Sequence, residues 1–314
     1  QFSIYAKSVA AVVLAGNNYA AEARDMAQSI KEYTVYKAPM GRYFDSQKAL
    51  YSWFDYRIPS QVAAIEALQS VAPADVQTIN EMKQWLLQSK RTQAWDTPVN
   101  SVNAVYAFFG GNCESLGASK PMAVLKLNGQ TLDMPKATAG LGYVKTAKTG
   151  EKMKTLSIEK QSDGTSWGAV YAQFVQPTAD VADAAEGMSV VREVLKNGKR
   201  IATDGETLAV GDRITVRIVI NADRDYDFVQ LADRRAACLE PLGQLSGYRD
   251  GCYCEPKDNA TNYYFDRLSK GKHVVETEYY VDRAGTYQTG TCTVQCAYSP
   301  EFGARTKAVA LSVE

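Results

Sequence analysis

The stretch Leu208–Ile220, LAVGDRITVRIVI, decides how the C-terminal part of this chain folds. Ile214, Val216, Ile218 and Ile220 alternate with Thr215, Arg217 and Val219, so one face is apolar in an extended chain and the other is mixed. A helix would scatter those four residues around its circumference. The same period returns in HVVETEYYV, with Val275, Thr277, Tyr279 and Val281 on one side. Asp282 to Gly285 reads as a turn, and TYQTGTCTVQCAYS reads as the returning strand. Strands at this spacing with no helical pattern between them predict an antiparallel β-sandwich over residues 187–314.

Working back from Gly187, TADVADAAEG reads as a linker and Pro177 as the end of a strand, TSWGAVYAQFVQ. Asn128-Gly129 follows Val124, Leu125 and Leu127, and Asp163-Gly164 follows Leu156 and Ile158. Each pair is a two-residue hairpin signal, because both central positions of such a turn need positive φ. Residues 111–186 are therefore expected to form a small β domain. Residues 1–110 carry the helical period instead. Ala6, Val9 and Val13 share one face, with Gly16 placed as a C-cap glycine, and Ala20, Ala23, Ala27 and Ile30 repeat the spacing. Val62, Ile65, Leu68 and Val71 follow a Pro59-Ser60 start signal; Val76, Ile79, Met82 and Leu86 follow Asp75 as N-cap; a last helix runs from Thr97-Pro98 to Phe109. Short connections favour antiparallel helix hairpins. Between them lies the aromatic, irregular APMGRYFDSQKALYSWFDYR.

Composition narrows the function. The 314 residues exceed one small core, so two or three domains are expected. Hydrophobic residues make up 46% and charged residues 22%, which places the chain among soluble globular proteins. Lys plus Arg and Asp plus Glu both number 35, which argues against a nucleic-acid surface. The longest apolar run, SVAAVVLAG, is far short of a membrane span. The chain opens at Gln1 inside a helical pattern, without an initiator Met or a cleavage site, and reads as a piece of something longer. One histidine, His273, leaves no room for chemistry built on several imidazoles.

The helical words MGRYF, YSWFDYRIPSQVAAIEALQSV and MKQWLLQSKRTQAWDTPVNSVNAVYAFF resemble the end of the thioester-containing helical domain of bacterial α2-macroglobulins, through Gln61, Trp85, Leu86, Trp95 and Thr97. LKLNGQTL and GTSWGAVYAQF are similar to the β domain that follows it, and LAVGDRITVRIVI through AYSPEFGARTKAVALSV to the family's C-terminal macroglobulin-type sandwich. The resemblance implies a multidomain α plus β chain: the C-terminal part of an α/α-toroid (1–110), a small β domain (111–186) and a sandwich (187–314). It implies a broad-spectrum protease trap, an endopeptidase inhibitor and not an enzyme. In such a trap a bait region is cut and a Cys–Gln thioester then acylates the protease, both lying upstream of this segment. Its partners would be attacking proteases, met through the full-length parent, and the upstream domains of the same chain, with no nucleic acid and no cofactor. Its place would be the periplasm or the cell surface, with any membrane anchor at the missing N-terminus. The competing classes are a cell-surface adhesin or scaffolding module and an α/α-toroid lyase or cyclase. The helical part holds neither the histidine of the lyase nor the Asp-rich motif of the cyclase.

Cys238-Leu239-Glu240-Pro241 nearly spells the thioester C-x-E-Q, but Pro241 has no side-chain carbonyl to acylate, so no thioester is expected in this chain. Five of six cysteines fall in the last 77 residues. Cross-strand disulfides are expected between the Cys238/Cys252/Cys254 group and Cys292 or Cys296, with one cysteine left over. Cys292 and Cys296 would lie too far apart on one extended strand to pair with each other. The C-x-C and C-x3-C spacings argue against zinc, which favours C-x2-C, so no metal is expected. Cys113 beside Glu114 is expected to be inert. Tyr43, Phe44, Tyr51, Trp53, Phe54 and Tyr56 read as large side chains plugging a helical end, or as a ligand platform. The resemblance implies that Tyr43, Phe44, Trp53, Phe54 and Trp95 wall the thioester pocket. His273 reads as a surface histidine at a strand start, and Lys145, Lys148, Lys152 and Lys154 as a solvated sheet edge.

Overall fold

A computed structural model describes residues 2–45, 56–95, 97–109, 123–135, 144–150, 152–161, 166–202 and 206–314. Two units emerge: Gln1–Leu86 with Asp96–Phe174, and Leu87–Trp95 with Val175–Glu314. Most strand pairs are antiparallel, and among the described residues there are five α-helices, none long and apolar enough to cross a membrane.

In the first unit the helices are α1 (Ile4–Gly16), α2 (Ala20–Glu32), α3 (Arg57–Val71), α4 (Val76–Thr92, whose last turns belong to the second unit) and α5 (Pro98–Phe109). The hairpin β1 (Val35–Lys37) and β2 (Gly41–Tyr43) follows α2, and β3 (Val124–Leu127), β4 (Gln130–Thr131) and β5 (Leu156–Glu159) form a three-stranded sheet in the order β4-β3-β5. Capping chemistry fixes several boundaries. Thr78 N donates to Asp75 Oδ1 at 3.3 Å, and Asn100 N donates to Thr97 Oγ1 at 3.4 Å, each supplying an acceptor to a helix start. A hydrogen bond from Lys31 holds the Asp75 carboxyl below its usual range. The Asn128-Gly129 turn forms with both φ positive, and the Asn128 side chain bonds Lys152 O, Lys154 N and Thr155 N across the sheet. The Asp163-Gly164 signal lies outside the described residues.

Two readings of the first unit are corrected. The face of α1 that packs on α2 and α3 is Ile4, Ser8 and Ala11, whereas Val9 and Val13 are 43% and 56% exposed. Small Ser8 and Ala11 permit close helix approach, and Ser8 Oγ repays its burial by donating to Ile4 O at 2.7 Å. Gly16 closes the helix without capping it: Asn18, at φ 67°, takes the left-handed position. TSWGAVYAQFVQ is not a strand. Over residues 166–176 it pairs with no strand among the described residues, leaving Phe174 at 72% exposure. Period-two alternation marks a face, but a strand also needs a hydrogen-bonding neighbour.

In the second unit the strands run β6 (Ala184–Glu186), β7 (Met188–Lys196), β8 (Lys199–Arg200), β9 (Thr207–Leu208), β10 (Arg213–Ala222), β11 (Tyr226–Arg234), β12 (Leu239–Pro241), β13 (Gly247–Arg249), β14 (Cys252–Pro256), β15 (Ala260–Leu268), β16 (Gly271–Val281), β17 (Gly285–Gln288), β18 (Cys292–Cys296), β19 (Ser299–Thr306) and β20 (Ala310–Val313). A five-stranded sheet, β12-β16-β10-β7-β8, faces a seven-stranded sheet, β13-β14-β15-β11-β18-β19-β6, and a small sheet β17-β20-β9 completes the unit. The alternation over Ile214–Ile220 is the core itself. Ile214, Val216, Ile218 and Ile220 are buried, as are Val275, Thr277, Tyr279 and Val281, and the facing sheet adds Val229, Leu231, Tyr263, Phe265, Val294 and Phe302. The expected return strand 286–299 is divided. β17 joins the small sheet and β18 the seven-stranded one, with Thr289 and Gly290 carrying the chain from one to the other.

Candidate functional site

The family-like words of the helical part converge on β2. Gly41 has φ 86°, and a Cβ there would stand 2.3 Å from Glu81 O and 3.0 Å from Trp85 N. The glycine therefore lets β2 lie directly on the backbone of α4. Arg42 Nε then reaches Glu81 Oε2 at 2.8 Å, and Tyr43 stacks on Trp85 with centroids 6.0 Å apart and rings 13° from parallel. Gln61, 1% exposed, donates from Nε2 to Arg42 O at 2.8 Å and to Met82 O at 3.1 Å, tying α3 to both. Phe44, the next residue along the chain, is buried. Tyr51, Trp53 and Phe54 lie outside the described residues. Trp95 belongs to the second unit, where its Nε1 donates to Ser89 Oγ at 3.2 Å and Lys90 lies over its ring. Of the predicted wall, Tyr43 packs on Trp85, a residue outside that wall, and Phe44 is buried.

The cysteines correct the disulfide expectation. Cys238, Cys252, Cys254, Cys292 and Cys296 are all free and buried. β14, which carries Cys252 and Cys254, and β18, which carries Cys292 and Cys296, are in one sheet with β15 and β11 between them. Three strand steps span about 14 Å, twice the Cα separation a disulfide accepts. Sheet order therefore rules out any pair between Cys252 or Cys254 and Cys292 or Cys296, and Cys238 is free as well. Cys238 precedes β12 in the facing sheet, and its thiol is pushed up by burial, as are those of Cys292 and Cys296. Burial pushes Cys252 up to about 11. Cys238, Cys252, Cys292 and Cys296 are therefore protonated core thiols. The expected result is that a thiol reagent at neutral pH leaves all five unlabelled in the native chain and labels all five in denaturant. Peptide mass spectrometry checks this; rapid native labelling of Cys252 or Cys254 would contradict the burial argument. Cys113 lies outside the described residues. No group of metal-ligating side chains occurs among the described residues. His273 Nε2 donates to Ser269 O at 2.7 Å on the surface, and Lys145, Lys148, Lys152 and Lys154 are exposed.

The sequence reading missed two features. The first is a polar hub inside the sandwich. Arg192 on β7 meets Asp233 on β11 at 3.0 Å, with side chains 5% and 3% exposed. Its Nη1 also reaches Gly290 O at 3.0 Å, and its Nη2 reaches Thr289 Oγ1 at 2.7 Å, so one guanidinium ties both sheets to the crossover after β17. Burial pushes the Asp233 carboxyl up while Arg192 pulls it down. Further along, Thr261 Oγ1 meets Tyr279 Oη at 2.8 Å and Tyr263 Oη meets Thr277 Oγ1, again across the sheets. Burial pushes both tyrosines up, which keeps them neutral. The second feature is Phe228, which holds φ 58° in mid-strand and is half exposed. Its ring meets Tyr298, in the β18–β19 turn, edge-on at 5.4 Å, while its carbonyl accepts from Ala297 N at 2.8 Å. A bulky residue in that region is strained. The strain sets two aromatic rings outward together. Nothing in the sequence announces it.

Residues 187–301 match the family model of the bacterial alpha-2-macroglobulin MG10 domain. No curated protein matches the chain. Among solved structures, Escherichia coli alpha-2-macroglobulin activated by trypsin aligns at 13% identity with a TM-score of 0.55, over 99% of this chain and 24% of that one. The elastase-activated Escherichia coli protein aligns at 15% identity with a TM-score of 0.48, over 99% of this chain and 31% of that one. The native Escherichia coli segment from domain MG7 to the C-terminus aligns at 13% identity and a TM-score of 0.39, over 99% of this chain and 54% of that one. The chain thus spans about a quarter of the trypsin-activated protein, with which it shares a fold. Over residues 187–301 the chain is thus similar to the bacterial alpha-2-macroglobulin MG10 domain.

Proposed function

We propose that this chain is the C-terminal part of a protease trap of the α2-macroglobulin kind, contributing shielding and target contact and performing no catalysis of its own. The observation that carries the reading is the MG10 match over residues 187–301. The fold likeness to the trypsin-activated Escherichia coli protein supports it. In this reading residues 1–110 close one side of an α/α-toroid, residues 111–186 are the small β domain that follows, and residues 187–314 are the terminal sandwich. Val9 and Val13 of α1 and Val99, Val102 and Val105 of α5 are exposed, which suits a helical layer meant to pack against further helices. Tyr43, Phe44 and Trp95, with Trp53 and Phe54, would then stand toward the thioester environment. The outward pair Phe228 and Tyr298 is the sandwich's candidate contact. The periplasm or cell surface is the corresponding location.

The test uses the full-length protein. Incubated with trypsin, it is expected to gain a trypsin-sized mass that survives denaturation, and methylamine pretreatment should abolish the gain. Retention of trypsin without a covalent bond would leave a mechanical trap. Trypsin left free in solution, with its activity on a large substrate intact, would sink the proposal.

A further inference from the structure

The outer face of the seven-stranded sheet carries a shallow concavity of about 290 Å³, lined by Gln230, Ala232 and Arg234 of β11 and by Thr291, Thr293 and Gln295 on or beside β18. Four observations make it more than a solvated surface. Ala232 lies opposite Thr293, and Gln295 lies opposite Gly303, so small residues leave the floor low. Gly303 has no alternative: a Cβ there would stand 2.6 Å from Val294 O. Among the described residues, the side chains of Gln230, Arg234, Thr291, Thr293 and Gln295 make no hydrogen bond or ion pair, although Gln230, Thr291, Thr293 and Gln295 are half-buried. Two amides, two hydroxyls and a guanidinium therefore converge with their donors and acceptors unspent. Finally, the register runs Tyr248, Tyr253, Tyr264, Gln230, Gln295 straight across five neighbouring strands, so an aromatic row leads into the polar one. Tyr253 stands 5.3 Å from Tyr248 and 6.4 Å from Tyr264, ring to ring.

We propose that this face binds an acidic saccharide. Sugar rings offer an apolar face for Tyr253 and Tyr264 and a rim of hydroxyls for Gln230, Gln295 and Thr293, which supply both donors and acceptors. The charge of the lining sets the ligand's sign: it holds one guanidinium and no carboxylate, so a sugar carboxylate matches Arg234. Arg305, opposite Thr293, adds a second positive charge, while Glu255, two strands from Ala232 in the adjacent row, is already paired with Lys257 at 2.6 Å and accepts from Tyr264 Oη at 3.2 Å. A peptide is less suited. Its usual route onto a sheet is an open edge, and β11 and β18 are paired on both sides. Its apolar side chains would find only Ala232 in the lining. The volume is near the lower bound of ordinary ligand sites, which suits one or two sugars held at a shallow groove.

Calorimetry on the purified chain decides it, with a tetrasaccharide of alternating glucuronic acid and N-acetylglucosamine as probe. The neutral tetrasaccharide of N-acetylglucosamine, sodium acetate and a glutamate-rich peptide are the comparisons. The acidic sugar is expected to bind, and acetate and the peptide are not. Arg234→Gln should weaken binding about tenfold or more and bring it to the level of the neutral sugar. Ala232→Trp should fill the floor and abolish it while the melting temperature stays unchanged. The proposal is overturned by any of four results: no heat with the acidic sugar at millimolar concentration, equal binding of the neutral sugar, equal binding of the peptide or acetate, or undiminished affinity in both variants.

Discussion

Replacing Arg192 by leucine is expected to destabilise the sandwich by about 3–5 kcal/mol, the cost of leaving one member of a buried ion pair alone. The reason is what remains. Asp233, 3% exposed and already pushed up by burial, would lose the guanidinium that holds it down, and Gly290 O and Thr289 Oγ1 would lose a donor with little water to replace it. The double variant Arg192→Leu/Asp233→Leu should recover part of the loss, because no buried charge is then unbalanced, but the Gly290 carbonyl stays orphaned. Urea unfolding followed by hydrogen exchange separates this from a global effect: peptides covering 188–196 and 226–234 should lose protection first. A loss below about 1 kcal/mol for the single variant would mean that solvent reaches the pair and that the hub is not structural.

That hub also measures what the sequence could announce. The two alternating runs, Ile214–Ile220 and Val275–Val281, were legible because each strand has one apolar face and the sandwich buries it. α5 was legible to the residue, because Thr97 and Pro98 can each take only one role at a helix start. Arg192 was not legible: a charged residue next to Glu193 in a mixed strand reads as outward-facing until its partner, 41 residues away, is in place. The same holds for α1, where the buried stripe is Ser8 and Ala11 and the larger valines face out, since apolar size does not say which face a neighbour covers. Cysteine pairing failed for a related reason. Spacing along a strand constrains which thiols share a face, but strand order decides which can meet, and β15 and β11 intervene. The concavity around Gln230 was hidden because polar residues on an outer sheet face are the default expectation. In physical terms, local periodicity was written in the chain, and what depends on which strands become neighbours was not.

Gly41→Ala should be the most damaging small change in the helical unit, costing on the order of 3 kcal/mol or more. Two independent terms add. Alanine at φ 86° is strained by about 1 kcal/mol or more before any contact is considered. The new methyl would then sit 2.3 Å from Glu81 O, a backbone atom held in α4 that cannot swing aside as a flexible side chain would. Relief requires β2 to lift from α4. That movement would break the Arg42–Glu81 pair, part Tyr43 from Trp85 and pull Arg42 O from Gln61. The loss should therefore appear in the near-ultraviolet dichroism of the aromatic rings as well as in the unfolding midpoint. Gly16→Ala is the matched control. Gly16 lies in α1, and a methyl added there would meet nothing within 4 Å, so alanine should stabilise by up to about 1 kcal/mol through helix propensity alone. Opposite signs at the two glycines would establish that β2 is seated on the α4 backbone. A Gly41→Ala midpoint close to that of the unaltered chain would show that the MGRYF segment is only loosely attached and cannot hold Tyr43 and Phe44 in a fixed wall.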